Sequence, residues 1–431
     1  MNSPGQFARA TLLLTLAVMG CFTVCRAGTP LYCITDLGTF GGAQSSANAI
    51  NNLGQVVGRA DLTNSSPVWA HAFLYTNGVM TDLGVLGTYT SGPATVSSST
   101  AFGLNNNGEI VGQSSTASGA MHAFAFNKGA MTDLGVLPGT QQSTARAVND
   151  NGQIVGWTIP AGPQHAFLYE NGTMSDLGTL GGTASFAYSI NNSGQVVGDS
   201  WLTSSGLSDT AFIYSNGIMS ALGALGAYPP IQAVAINSYG QAVGYAGAVN
   251  TGGPTVTRGF LYSNGSMTDL GDLGGAQTNV LPAAINNRGE IVGTVSAYQA
   301  SGRAFIYAGG AMTDLNTLLP ANSGWTLLHA NGINDSGQIV GSGQNASHLT
   351  HAFLLTPGLF PQISLTGSNS VQIQFTAPPN AGASIEYRDS LSDGAWQLLA
   401  VLDPVAIIHE VLITDPLSPG TTKRFYRVST R

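Results

Sequence analysis

The chain has 431 residues, with 13 Lys+Arg against 21 Asp+Glu, a formal net charge of −8 and only 8% charged residues. That balance excludes a basic nucleic-acid footprint and electrostatic docking on an anionic membrane. With 43% apolar residues the chain is too hydrophobic to stay disordered. Its length suits about two to three domains, or one large closed β-architecture with an added module.

Residues 1–27 read as a secretory leader. Arg9 gives the positive start, Thr11 to Gly20 the apolar run, and Cys25-Arg26-Ala27 the small residues of a cleavage site before Gly28. The apolar run is too short to span a bilayer comfortably. A lipoprotein signal ending before Cys21 is the minor alternative, with Met19 awkwardly placed for it. Either way the mature protein is expected outside the cytoplasm, secreted or at the cell surface. It would retain only Cys33, so it would have no intramolecular disulfide, and packing must supply its stability. No later stretch reaches 18 apolar residues, so no transmembrane segment is expected.

Repeats settle the architecture. Ile50-Asn51-Asn52-Leu53-Gly54-Gln55-Val56-Val57-Gly58 recurs from Leu104, Val148, Ile190, Ile236, Ile285 and Ile333, with its first glycines 42 to 54 residues apart. His71-Ala72-Phe73-Leu74-Tyr75 recurs at His122, His165, Thr210, Arg258, Arg303 and His351. Met80-Thr81-Asp82-Leu83-Gly84 recurs at Met131, Met174, Met219, Met267 and Met312, and Ile34-Thr35-Asp36-Leu37-Gly38 precedes them all. Each unit reads as four short strands: a (the run into Ile-Asn), b (Gln-Val-Val-Gly), c (His-Ala-Phe-Leu-Tyr) and d (Met-Thr-Asp-Leu-Gly). Asn77-Gly78 and its counterparts suit two-residue type I′ hairpins, and Asn-x-x-Gly suits a type I turn closed by a left-handed glycine. Four strands at this spacing predict a β-propeller.

The phase predicts how the ring closes. The chain opens with a spare d strand and ends, at His351, with a unit lacking one. Placing Ile34–Gly38 beside Phe353 completes seven blades and removes two exposed strand edges. In the c–d hairpin, the cation of strand c and the acid of strand d lie 11 residues apart and share a face. This gives His71/Asp82, His122/Asp133, His165/Asp176, Arg258/Asp269 and Arg303/Asp314, and across the closure His351/Asp36. Thr210 and Ala221 change together at the one remaining site.

These three motifs resemble the HAF repeat of bacterial extracellular proteins, named for the His-Ala-Phe seen here at 71, 122, 165 and 351. The likeness covers residues 34 to about 358 and departs at Thr210, Arg258-Gly259, Arg303 and Ala221. It implies secretion and a repeat architecture, without a general biochemical role.

After Gly358 the repeat stops. Runs such as Val371-Gln372-Ile373-Gln374-Phe375 alternate as half-buried strands do, and Pro378-Pro379 marks a turn. A small β-sandwich over 359–431 is expected, and Trp396 followed by Phe425-Tyr426-Arg427-Val428 resembles fibronectin type III-like modules. The expected architecture is therefore all-β: a leader over 1–27, a seven-bladed propeller over 28–358 and the sandwich.

Chemistry is harder to place. Asp61, Asp199 and Asp272 are the acids least explained by the repeat, and a glycosidase would need two of them about 5–10 Å apart. The repeat histidines lie one per blade, so no shared metal site is expected, and no cofactor motif appears. The residue after each strand-b Val-Gly varies most: Arg59, Gln113, Trp157, Asp199, Tyr245, Thr294 and Ser342, with Trp201 nearby. These predict a ligand-binding rim for a glycan or a surface protein. Plain surface, or local packing of Trp157 and Trp201 between blades, is the competing account. The leading expectation is a non-enzymatic, monomeric binding protein. A polysaccharide-active hydrolase or lyase and a purely structural repeat are the alternatives.

Overall fold

The computed structural model describes residues 13–17, 31–63, 69–91, 94–160, 164–203, 209–226, 230–248, 256–274, 278–297, 301–358, 362–366, 370–377, 382–389, 395–403, 409–417 and 423–430. Among them the structure is all-β, apart from a single-turn 3-10 helix at Leu315–Leu318. The chain divides into two compact units, one of residues 34–317 and 323–356, the other drawn from 1–33, 318–322 and 357–431.

In the larger unit the repeats form seven antiparallel four-stranded sheets among the described residues. The first runs Gly41–Ile50, Val56–Leu62, Ala70–Thr76 and Val79–Asp82 in spatial order a-b-c-d. Five more follow the same order, with strands a at Ser99–Leu104, Thr140–Val148, Ser185–Ile190, Pro230–Ile236 and Thr278–Ile285. In the seventh, Thr326–Ile333, Ile339–Gln344 and Thr350–Pro357 supply a, b and c. Tyr32–Asp36, from the other end of the chain, lies beside Thr350–Pro357 as the fourth strand.

Local chemistry explains each sheet. Asn77 and Gly78 both have positive φ, as do the other five c–d turn pairs, which is the backbone a I′ hairpin requires. The strand-b glycine pairs with the phenylalanine of strand c, as Gly58 with Phe73 and Gly198 with Phe212. A Cβ on Gly198 would collide with the Phe186 carbonyl oxygen and sit 2.8 Å from the Phe212 ring. Glycine is thus the cost of bringing the strand-c ring onto the strand, and all seven such phenylalanines have 0% exposure. Each fully buried ring contributes about 1.5–3 kcal/mol of hydrophobic stabilisation.

The turn asparagines join the sheets. Asn51 Oδ1 accepts from the Leu53 and Gln55 amides, while Nδ2 donates to Gln55 Oε1 and to the Asn105 carbonyl of the next sheet. Asn105 reaches Asn149, which reaches Asn191, then Asn237, Asn286 and Asn334, and Asn334 donates to the Asn51 carbonyl at 3.0 Å. The circuit returns to its start. All seven side chains are buried and all four hydrogen-bonding positions of each amide are used, so none carries a desolvation penalty.

The strand-c cations and strand-d acids meet. His71, His122 and His165 bring Nδ1 to 2.9, 2.9 and 2.6 Å from Asp82, Asp133 and Asp176. Arg258 and Arg303 reach Asp269 and Asp314 at 2.6 and 3.5 Å, and His351 Nδ1 lies 2.9 Å from Asp36 Oδ1. The same aspartates accept the amide two residues on, as Asp36 does from Gly38 and Asp82 from Gly84.

The smaller unit contains a three-stranded sheet (Gln362–Thr366, Ser370–Ala377, His409–Pro416) and a four-stranded one (Leu13–Ala17, Lys423–Thr430, Ala383–Arg388, Gln397–Leu402). Val371, Ile373 and Phe375 of the first share a core with Ile385, Tyr426 and Val428 of the second. Buried Arg424 bridges Asp415 at 3.0 Å and Asp389 at 2.6 Å, and Arg388 and Arg427 lie over the Trp396 ring. The expected leader lies outside the described residues except for Leu13–Ala17, which runs parallel to Lys423–Arg427 at the sheet edge. Cys21 and the cleavage site are likewise outside them.

Candidate functional site

Each strand a of the repeat unit breaks register against its strand b just before the residue pair that leads into the Asn turn. The residue left over is Asn48, Phe102, Arg146, Tyr188, Val234, Ala283 or Asn331, one per sheet. A β-bulge re-aims a side chain, and all seven of these line one cavity of about 570 Å³. Small neighbours such as Ala49, Ala147 and Ala235 share the lining and leave the space open.

The wall is chemically one-sided. Asn48 and Asn331 are tied down, donating at 2.8 Å to the Ala101 and Ala47 carbonyls. Val234 and Ala283 are apolar. Between them, the Arg146 guanidinium lies 4.4 Å from the centre of the Phe102 ring and 5.7 Å from that of Trp157. Trp157 packs edge-on against Phe186 and Tyr188 at 5.6 and 5.5 Å. Tyr188 hydrogen-bonds the buried Asp199 carboxylate, which also accepts from Gln232 Nε2 at 3.0 Å. Gln232 Oε1 in turn accepts from the Tyr245 hydroxyl at 2.7 Å.

Burial sets the protonation behaviour of this chain of groups. It pushes Asp199 up to about 6, against the hydrogen bonds from Gln232 and Tyr188, with the Asp209 charge pushing the same way as burial. Burial and then the Asp199 charge raise the Tyr188 and Tyr245 hydroxyls, so both remain donors throughout the physiological range. Burial lowers Arg146, against the nearby Tyr188.

The residues after the Val-Gly of strand b, with Trp201, divide into four groups. Arg59, Gln113 and Ser342 line a second cavity of about 600 Å³, which shares Asn48 and Phe102 with the first. Tyr245 lines the first cavity. Asp199 is buried within the network above, and Thr294, 9% exposed, contacts His329 Nδ1 at 3.1 Å. Trp157 packs between sheets, and Trp201 is half-buried at the end of its strand, lining neither cavity. Asp61 accepts from the Gln44 amide and Asp272 from the Gly274 amide, so each closes a loop of its own.

Past the Asn circuit, Asn52, Asn106, Asp150, Asn192, Asn287 and Asp335 surround a third space of about 180 Å³. Asp150 accepts from Asn106 and Asn192, and Asp335 from Asn52 and Asn287. No group of three His, Cys, Asp or Glu among the described residues could hold a metal ion. No helix of the described residues is long and apolar enough to cross a membrane.

Sequence reasoning missed the bulge positions, though their signal is present. They occupy the one position that changes freely within Ala-x-Ala-Ile-Asn and its variants, as in Ala47-Asn48-Ala49 and Ala145-Arg146-Ala147. Read as a plain strand, that residue falls on the face opposite its two neighbours, and only the bulge reveals that both it and a neighbour line the cavity.

No protein-family model matches the chain, and no curated protein matches it. Among solved structures, the β-propeller domain of the trilobed protease from Pyrococcus furiosus matches at 10% identity. It covers 76% of this chain and 94% of that one, with a TM-score of 0.47. A puromycin-hydrolysing peptidase from Mycobacterium tuberculosis matches at 11% identity over 82% and 62% of the two chains, TM-score 0.47. An acylaminoacyl peptidase from Pyrococcus horikoshii matches at 9% identity over 91% and 66%, also with a TM-score of 0.47. This chain thus spans less than two thirds of the length of the two peptidases.

Proposed function

We propose that this is a secreted, ligand-binding β-propeller of seven blades, built from HAF repeats, with a fibronectin type III-like β-sandwich at its C-terminal end. The Asn circuit through seven sheets supports the ring, and the strand Tyr32–Asp36 beside Thr350–Pro357 supports its closure by the N-terminal segment. The leader over residues 1–27 supports export.

One observation carries the binding role. Around each bulge the sequence repeats, yet the seven residues facing the cavity present a cation, two aromatics, two amides and two apolar groups. A structural axis calls for seven interchangeable small residues, whereas a binding site calls for this kind of mixture. The ligand enters the strand-a cavity, and the shared lining at Asn48 and Phe102 makes the Arg59–Gln113–Ser342 cavity its approach.

The test is a binding screen of the purified chain against soluble mono- and oligosaccharides, alongside Ala283→Trp, which fills the cavity from its apolar wall. Saturable binding lost in a variant of unchanged melting temperature supports the reading. Binding that persists in Ala283→Trp, or no binding at all, overturns it. A second reading, a polysaccharide-active hydrolase or lyase, has one observation in its favour: buried Asp199, held at about 6 beside Tyr188. Release of new reducing ends from a polysaccharide, abolished by Asp199→Asn, would establish it.

A further inference from the structure

Among the described residues the Arg146 guanidinium has no anionic partner. None of the ion pairs among the described residues includes it, and no hydrogen-bond acceptor there reaches it. Its neighbours are the rings of Phe102 and Trp157, with Tyr188 close by. Arg146 is half-buried, and the two ring faces contribute only about 0.5–2 kcal/mol each, less than a charged hydrogen bond to a carboxylate would. The guanidinium is a planar fork of N–H donors. That fork matches a carboxylate, which accepts two parallel N–H bonds.

Arg146 is also a bulge residue, and bulging is what turns it into the cavity rather than into a sheet face. The same wall carries Gln232 and Tyr245, whose hydrogen bonds to each other and to Asp199 fix the direction in which their free donor and acceptor positions point. These are groups that recognise hydroxyls. The cavity, at about 570 Å³, is of small-molecule size.

Resting on the binding role proposed above, we propose that the cavity takes a carboxylate-bearing sugar of the hexuronic acid class. Its carboxylate is held by Arg146, and its ring hydroxyls by Gln232 and Tyr245. The carboxylate supplies the missing counter-charge, and the hydroxyls satisfy the amide and phenol without disturbing Asp199.

Isothermal titration of the full chain with sodium glucuronate, glucose, sodium acetate and sodium sulfate tests this, using wild type, Arg146→Met, Arg146→Lys and Ala283→Trp. Glucuronate is expected to bind wild type more tightly than glucose or acetate do. Arg146→Met should weaken glucuronate roughly 10–100-fold, the range of a lost charged hydrogen bond, and weaken glucose much less. Arg146→Lys should fall between them, since it keeps the charge and loses the fork. Circular dichroism of each variant separates loss of binding from loss of fold. If Arg146→Met does not fold, the Arg146→Lys result decides alone, and wild-type affinity there overturns the assignment. Equal affinity of wild type for glucose and glucuronate overturns it too, as does full binding of glucuronate by Arg146→Met. Sulfate binding as tightly as glucuronate would reduce the site to a general anion site and also overturns it. In each of those cases, binding blocked by Ala283→Trp leaves the broader binding role standing. Failure of every ligand to bind overturns both.

Discussion

Asn191→Ala tests how the repeats are held together. The substitution removes the acceptor of the Ser193 and Gln195 amides and the donor to Gln195 Oε1 and to the buried Asn237 carbonyl. Four hydrogen bonds at about 1 kcal/mol net each give a loss of about 4 kcal/mol, and the orphaned carbonyl keeps that figure from falling. Unfolding entropy scales with length, so a unit of this size shifts by about 1.5 °C per kcal/mol and the melting temperature should drop by about 6 °C. Asn191→Asp should do no better, because it keeps the accepting oxygen but turns a second oxygen towards two acceptors. Thr81→Ala, on the exposed strand of the first sheet, is the control. Differential scanning calorimetry of the three variants decides the matter. A change below about 1 kcal/mol for Asn191→Ala, equal to that of Thr81→Ala, would refute the view that the asparagines bind sheet to sheet.

Three further expectations follow from the same geometry. Asp36→Ala removes the acceptor of His351 Nδ1, of the Gly38 amide and of Asn345 Nδ2, so the unfolding free energy should fall by about 1 kcal/mol; unchanged stability would mean the terminal strand is held by its backbone alone. Asp199, raised from 3.8 to about 6, makes the fold favour the protonated acid, so its contribution is fully present below about pH 4 and lost as pH rises through 6. That loss is on the order of 3 kcal/mol. Urea titrations should show Asp199→Asn more stable than wild type at pH 8 and equal to it at pH 4, and a constant difference across that range would contradict the cause given. Gly198→Ala should cost about 3 kcal/mol or more, or fail to fold, because its Cβ meets the Phe186 carbonyl and the Phe212 ring. Gly217→Ala, with open space and φ of +82°, should cost only about 1–2 kcal/mol; equal losses would show that backbone conformation rather than room selects the repeated glycine.

The strands and their hairpins were legible because their causes are local. The recurring apolar run Ala-Phe-Leu-Tyr, the positive φ demanded by Asn77-Gly78, and the spacing of 11 residues between His71 and Asp82 act within a few residues, and the sequence contains all of them. The unmatched strand at Ile34–Gly38 could be assigned a partner by counting, since a strand edge must be covered. Two features belong to the tertiary structure alone. Asn51 reads as a turn residue, and its second role appears only when the Asn105 carbonyl arrives from the next sheet. Arg146 reads as an isolated cation in a run of small residues. It gains its meaning when one unpaired residue shifts the register of strand a and turns the side chain into the cavity between Phe102 and Trp157. Periodicity records which face a residue takes while the ladder is regular. Where the ladder slips by one residue, only the packed neighbours determine which side chains meet.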